Sequence, residues 1–214
     1  MKQFQKSEAF TGLEAAIVLI AFVVVAAVFS YVVLGAGFFT TQQAQKVVYS
    51  GISQASSNIV VIGEVYGDAS GTSNGVVAGT AGVIHTVIFT IGLAAGGEAI
   101  DMNQTTLVFQ NSTTLRTLNI AGVGINLTSP TGVVQMPNGF EWGILSKQNA
   151  NSNNVLEPNE QFTIMANISA SASSLSTGVP PSDQFTLQIR PPVGASLPIT
   201  KEAPGGITPL NLLY

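Results

Sequence analysis

From Ala15 to Phe39 the chain runs AAIVLIAFVVVAAVFSYVVLGAGFF, 25 residues without a charge. A helix needs about 20 apolar residues to cross the hydrocarbon core of a bilayer, so this segment taken alone belongs in lipid. Fully burying a Val, Leu, Ile or Phe side chain is worth about 1.5–3 kcal/mol, and the run holds more than a dozen of them. It must therefore lie in a membrane or among copies of itself. Its valines are compatible with strand, but its length without a turn signal predicts a helix.

The polar leader Met1–Ala9 is no ordinary secretory signal. Such a signal carries a short apolar core followed by a small-residue cleavage site. Here the apolar run is longer, and the cut that fits lies before it, which keeps the helix in the mature product. From Thr40 to Ile62, apolar Ala44, Val47, Val48, Ile52, Ala55, Ile59 and Ile62 recur at helical steps among Gln and Ser. The helix is thus predicted to continue as an amphipathic half. Gly35 and Gly37, each costing about 1 kcal/mol relative to alanine, leave room for a bend between the halves.

The Gly/Ser-rich segment 63–82 reads as a linker or loop. Beyond it the apolar period changes from 3.6 to 2. Val87, Phe89 and Ile91; Leu107 and Phe109; Phe140, Trp142 and Ile144; Phe162, Ile164, Ala166 and Ile168; Phe185, Leu187 and Ile189; and Val193 to Ile199 mark short strands. Turn signals such as Pro137-Asn138-Gly139 and Pro158-Asn159 separate them. That spacing predicts a β-sandwich or barrel of roughly 7–9 strands. The low-complexity stretch Ser169–Gly178 reads as a surface loop. The class is α+β, divided into a leader (1–9), an assembly helix (10–62), a linker (63–82) and a β-domain (83–214).

Charged residues make up 8% of the chain, with a net charge of −4, against about 25% in ordinary soluble domains. No basic stripe exists, which argues against nucleic acid as a partner. Without cysteine the chain has no disulfides and no thiolate metal ligands. His85 is the sole histidine, so no two-histidine metal site can form, and any Ser-His-Asp arrangement would have to use that residue. It reads as a structural histidine in a strand with Val83, Val87 and Phe89. The carboxylates are scattered, and Gly92–Gly97 lacks the lysine of a phosphate loop. No catalytic residue, metal or cofactor is assigned, and the chain reads as a non-enzyme.

Glu14 is the one charge near the start of the apolar helix. Thr11-Gly12-Leu13-Glu14 fits the capping box, with Thr11 capping the helix and Glu14 bonding back to a backbone N–H. Alternatively, a cut before Phe10 would create an α-amine that Glu14 of a neighbouring copy can pair with during packing. Four N-x-[ST] sequons, at Asn103, Asn111, Asn126 and Asn167, are candidate glycan acceptors.

The junction of leader and helix resembles a class III, type IV pilin-like signal. The resemblance places the cut between Ala9 and Phe10 and makes Glu14 the fifth mature residue. The leader ends in Ser7-Glu8-Ala9, whereas leaders of this type usually end in glycine preceded by basic residues. Gln42-Gln43-Ala44-Gln45-Lys46 and Ser57-Asn58-Ile59-Val60-Val61-Ile62-Gly63 resemble the helix exit of archaellins, the archaeal flagellins. Leu156-Glu157-Pro158-Asn159-Glu160-Gln161-Phe162-Thr163-Ile164 and Phe185-Thr186-Leu187-Gln188-Ile189-Arg190-Pro191-Pro192-Val193-Gly194-Ala195 are similar to the C-terminal strands of that family.

This resemblance implies an archaellum filament subunit, with a helix bundle inside and an immunoglobulin-like antiparallel β-sandwich outside. It implies identical subunits, a prepilin-type peptidase, an assembly platform, a membrane motor and glycans as partners. It further implies insertion of the precursor in the cytoplasmic membrane before the subunit reaches an extracellular filament. Two other readings use the same features: a subunit of a static adhesive pilus, and a membrane-tethered binding domain that stays monomeric.

Overall fold

A computed structural model of the chain describes residues 4–69, 72–73, 76–77, 82–122, 124–128, 134–135, 137, 139–169 and 178–214, with helix side chains from Gly12 onward. The chain divides after Gly51 into two units.

Helix α1 spans Phe4–Ser56 and runs unbroken through Gly35 and Gly37. The cost of the two glycines, about 1 kcal/mol each relative to alanine, is too small to end a helix of this length. Immediately after them, Thr40 and Thr41 donate their hydroxyls to the carbonyls of Ala36 and Gly37, at 2.8 and 2.9 Å. Their polar atoms are thereby satisfied on the helix itself. Because α1 starts at Phe4, Thr11 lies inside the full-length helix and is not its cap. The leader residues Gln5, Lys6, Glu8 and Ala9 are good helix formers and extend it upstream.

The helix also ends earlier than its apolar spacing predicts, at Ser56 instead of Ile62. Ile59-Val60-Val61-Ile62 is an uninterrupted β-branched run, which loses rotamer freedom in a helix and fits a pleated strand. Ser57 and Asn58 make the exit: Ser57 N–H donates to Ser53 O at 3.0 Å and Asn58 N–H to Ser56 O at 2.9 Å. Strand β1 (Ile59–Asp68) follows directly, so the first part of the expected linker is strand. Two short strands, β2 (Thr72–Ser73) and β3 (Val76–Val77), pair within the remainder. Most of the segment expected to be the 169–178 loop lies outside the described residues.

The β-region contains β4 (Thr86–Leu93), β5 (Ile100–Asp101), β6 (Thr106–Asn111), β7 (Leu115–Ile120), β8 (Glu141–Gln148), β9 (Val155–Leu156), β10 (Gln161–Asn167), β11 (Gln184–Arg190), β12 (Leu197–Glu202) and β13 (Leu210–Leu212). Nine strands form one sheet, in the order β12-β11-β6-β7-β8-β10-β4-β1-β13, while β5 pairs with β9. Among the described strands every pairing is antiparallel except β7–β8, which joins the two halves through Asn119↔Glu141 and Ile120↔Trp142 and is continued by a parallel bridge, Asn126↔Ile144.

Inward residues of both halves fill a single core. Phe89, Ile91, Trp142, Phe162 and Ile164 from one half share it with Leu107, Phe109, Phe185, Leu187 and Ile189 from the other. This is the two-layer packing that alternating strands require. The free ends of the sheet also meet, where Glu202 N–H donates to the Tyr214 carbonyl at 2.9 Å.

Two segments distant in sequence converge at the helix exit. Gly194 has φ +103°, and a Cβ there would run into the Ser57 carbonyl. Beside it, Gln54 Nε2 donates to Gly194 O at 3.4 Å, and the Ser53 hydroxyl donates to the Glu98 carboxylate. Gly194→Ala is therefore expected to destabilise the β-domain by about 1–3 kcal/mol through backbone strain and overpacking. Thermal melting of the full chain in detergent would check this, with Gly206→Ala as the control, because a Cβ at Gly206 meets nothing within 4 Å.

Candidate assembly surface

The helix displays its apolar side chains without cover. A stretch within Gly12–Ser56 reaches mean hydropathy 3.0 with none of it buried. Phe22, Phe29 and Phe39 are each about 70% exposed. Glu14 is exposed on the same helix. Ala9 and Phe10, flanking the expected cut, lie within the helical backbone, and their side chains fall outside the described residues, as does that of Thr11. A Cβ added at Gly12, Gly35, Gly37 or Gly51 would meet nothing within 4 Å. Packing inside the single chain therefore does not account for these glycines, whereas small residues let neighbouring helices approach closely.

The four sequons fall in different surroundings. Asn103 and Asn126 are exposed, and both bond to Asn154: Asn126 Nδ2 donates to Asn154 Oδ1 at 3.0 Å, and Asn154 Nδ2 donates to Asn103 Oδ1 at 3.4 Å. Asn111 is half-buried, its carbonyl accepting the N–H groups of Thr113 and Thr114 at 3.1 and 2.7 Å. Asn167 is 7% exposed. Its Nδ2 donates to Pro137 O at 3.0 Å, and its Oδ1 accepts from Ser169 N–H and Oγ at 3.0 and 2.7 Å. In the folded domain its amide is structural.

Among the described residues no group of three or more His, Asp or Glu is placed to hold a metal. Asp101 accepts the Asn103 N–H at 2.9 Å, and this bond, helped by the Gln104 and Asn103 side chains against a smaller burial effect, holds its carboxyl below the usual range. Burial pulls the Lys147 ammonium down against the opposing field of Glu160. Lys147 Nζ meanwhile donates to Asn154 Oδ1 at 2.8 Å and lies 5.4 Å from the Phe162 ring centre.

His85 is 6% exposed and its Nε2 has no hydrogen-bond partner in the structure. Burial lowers its pKa, outweighing the opposite pull of Asp68. The sequence predicts a histidine in a strand; the structure instead holds it just before β4, where its backbone N–H donates to Asp68 O at 3.0 Å.

Sequence reasoning missed one surface. Val60, Ile62 and Tyr66 on β1 and Leu210, Leu212 and Tyr214 at the C-terminus are all exposed. Tyr66 stands opposite Leu212 in register. No sequence signal marks this surface, because in Leu210-Asn211-Leu212-Leu213-Tyr214 the polar Asn211 is buried and the two flanking leucines are exposed.

Because His85 is kept neutral by burial, the unfolded chain binds the extra proton first as pH falls. Stability linked to this residue is full above the unfolded value of about 6.5 and declines as pH drops through it toward the lower folded value. Melting temperatures measured from pH 7.5 downward should fall more steeply for the native chain than for His85→Gln, and equal slopes would refute this account.

The sequence matches the archaeal-type flagellin family over residues 9–201. It is 40% identical over 205 residues to probable flagellin 2 of Archaeoglobus fulgidus, covering 95% of this chain and 93% of that one. Among solved structures it resembles the archaeal flagellum of Methanospirillum hungatei, with 31% identity, a TM-score of 0.64, and coverage of 95% of this chain and 99% of that one. Crystalline flagellin FlaB1 of Methanocaldococcus jannaschii shares the fold at 20% identity and a TM-score of 0.54, covering 72% of this chain and 95% of that one. With an uncovered apolar helix joined to a completed β-core, and with this match across nearly its whole length, the chain belongs to the archaeal-type flagellin family.

Proposed function

We propose that this chain is the structural subunit of an archaellum filament, polymerising through α1 to form the rotating fibre that drives swimming. The observation that carries this reading is the contrast between the two units. The β-domain buries its own core, whereas the helix leaves aromatic and aliphatic side chains uncovered along its length. A helix of that kind is completed only by lipid or by sister helices.

The precursor waits as a single-span protein, with Lys2 and Lys6 favouring a cytoplasmic N-terminus. A prepilin-type peptidase cuts between Ala9 and Phe10. The new amine at Phe10 then pairs with Glu14 of a neighbouring copy, and Thr11, now at the helix start, becomes available as a cap. Moving from lipid into a bundle exchanges one apolar environment for another, so assembly rests on close packing and charge pairing. Residues 10–56 form the inner bundle and the β-domain the extracellular shell. An assembly platform and a membrane motor insert and turn the fibre, and the subunit itself performs no catalysis.

Glycans are assigned to Asn103, Asn111 and Asn126, with Asn167 unmodified because its amide is buried and bonded. Asn103 and Asn126 share Asn154, so a glycan at one crowds the other.

Mass spectrometry of purified extracellular filaments should find Phe10 as the first residue and unmodified Asn167. A chain that keeps Met1 and never leaves the membrane fraction would favour a tethered monomer instead. A second expected outcome concerns Gly37→Leu, which raises intrinsic helix propensity by up to about 1 kcal/mol. Filament yield should nevertheless drop, because the added bulk lies where helices of different copies approach. Quantitative electron microscopy of sheared filaments would check it, and an unchanged or higher yield would sink the close-approach argument.

A further inference from the structure

The six exposed apolar residues on β1 and the C-terminal strand form one surface. Tyr66 pairs in register with both Leu212 and Ile88, placing them on one rung across β13, β1 and β4. Ile62 belongs to the same face, its Cδ1 lying 2.6 Å from where a Cβ on Gly92 would stand. Only a glycine leaves Ile62 this resting place on β4. Glu64, exposed beside these residues on the same strand, supplies an acidic rim.

Asp68, half-buried and opposite Leu210 in register, adds a second carboxylate to this face, and an exposed apolar patch of this kind marks an interaction surface. Six residues nevertheless cover well under the roughly 800 Å² per partner of a stable free complex. Such a patch is effective only against a partner already held nearby, where linkage supplies a high effective concentration. In a filament subunit, that partner is another copy of the chain.

The amphipathic half of α1 offers the complementary surface. Ala44, Val47, Val48, Ile52 and Ala55 make its apolar stripe. Lys46 and Tyr49, three residues apart, share a different face. Lys46 is the sole Lys or Arg between residues 7 and 115, and both it and Tyr49 are exposed. A helical polymer needs contacts between two different surfaces of the same chain. An aromatic with a cation on one side, and an apolar patch with an acid on the other, meet that need.

Resting on the filament reading above, we infer that the Lys46–Tyr49 face of α1 in one copy docks on the β1/β13 face of another. Tyr49 packs on Tyr66 and Leu212, and Lys46 pairs with Glu64. The contact fixes the position of each β-domain along the fibre.

The test uses a strain in which this chain is the sole filament subunit, carrying Lys46→Glu, Glu64→Lys or both. Filaments of either single variant should release subunits at a lower temperature than the unsubstituted fibre, and the double variant should recover part of that loss. A double variant no more stable than the singles, or singles indistinguishable from the unsubstituted fibre, overturns the contact. Because the chain has no cysteine of its own, Tyr49→Cys combined with Leu212→Cys gives a second readout. Oxidising these filaments should yield a ladder of covalent multimers, and monomers alone would also overturn the contact. If the unsubstituted chain is absent from filaments altogether, the filament reading fails, which separates the two outcomes.

Discussion

The apolar helix has no cover of its own, and most other features of the chain follow from that. Its side chains between Leu13 and Phe39 stand more than half exposed at nearly every large hydrophobic position. The β-domain commits most of its large aromatic and aliphatic side chains to its own core. A helix this apolar needs an apolar environment, which the proposed function supplies first as lipid and then as neighbouring helices. Since both environments are apolar, the hydrophobic effect does little to choose between them. On the assembly reading proposed above, the choice falls to shape, through the glycines at 12, 35, 37 and 51, and to charge, through Glu14.

The β-domain solves a different problem. It anchors a long helix without disulfides or many ion pairs. The exit does this through backbone geometry: Ser57 and Asn58 stop the helix, a β-branched run begins β1 at once, and Gly194 lets a distant loop close against Ser57. The bulge between Ile62 and Tyr66, where Gly63 takes φ +75°, then lets β1 continue along β4 after the register shift. At the other end, buried Leu213 donates its N–H to Val65 O at 3.0 Å. The last residues of the chain therefore fasten the first strand after the helix.

Much of this was legible in the sequence because the signals were long or strongly periodic. The uncharged 25-residue run and the switch to period 2 after residue 82 both led to what the structure contains. What failed was short or contested. Ile59 and Ile62 fit the helical spacing, yet their β-branching, with Val60 and Val61 between them, decided for strand. Leu115–Ile120 buries only Leu118 and shows no sustained alternation, so its role in joining the two halves left no trace. The capping box at Thr11 was real as a pattern, but upstream helix formers occupied its place. Asn167 looked like the other sequons, since a motif of three residues carries no information about burial.

The edges of the sheet explain why such a charge-poor surface need not drive fibres to stick side by side. Open edges invite strand addition unless they are blunted. Edge strand β12 carries Pro198, which lacks a donor, and Lys201. Edge strand β13 is three residues long, and the neighbouring Tyr214 carbonyl already accepts from Glu202. The outward face of β11 and β12 is polar and satisfied: Thr186 and Thr200 bond at 3.0 Å, Gln188 donates to Ser196 at 3.1 Å, and Arg190 donates to Gln188 at 2.7 Å. Such a face is hydrated without offering a directional partner. Growth by sheet addition is thereby discouraged at both edges, which leaves the helix to set the direction of assembly.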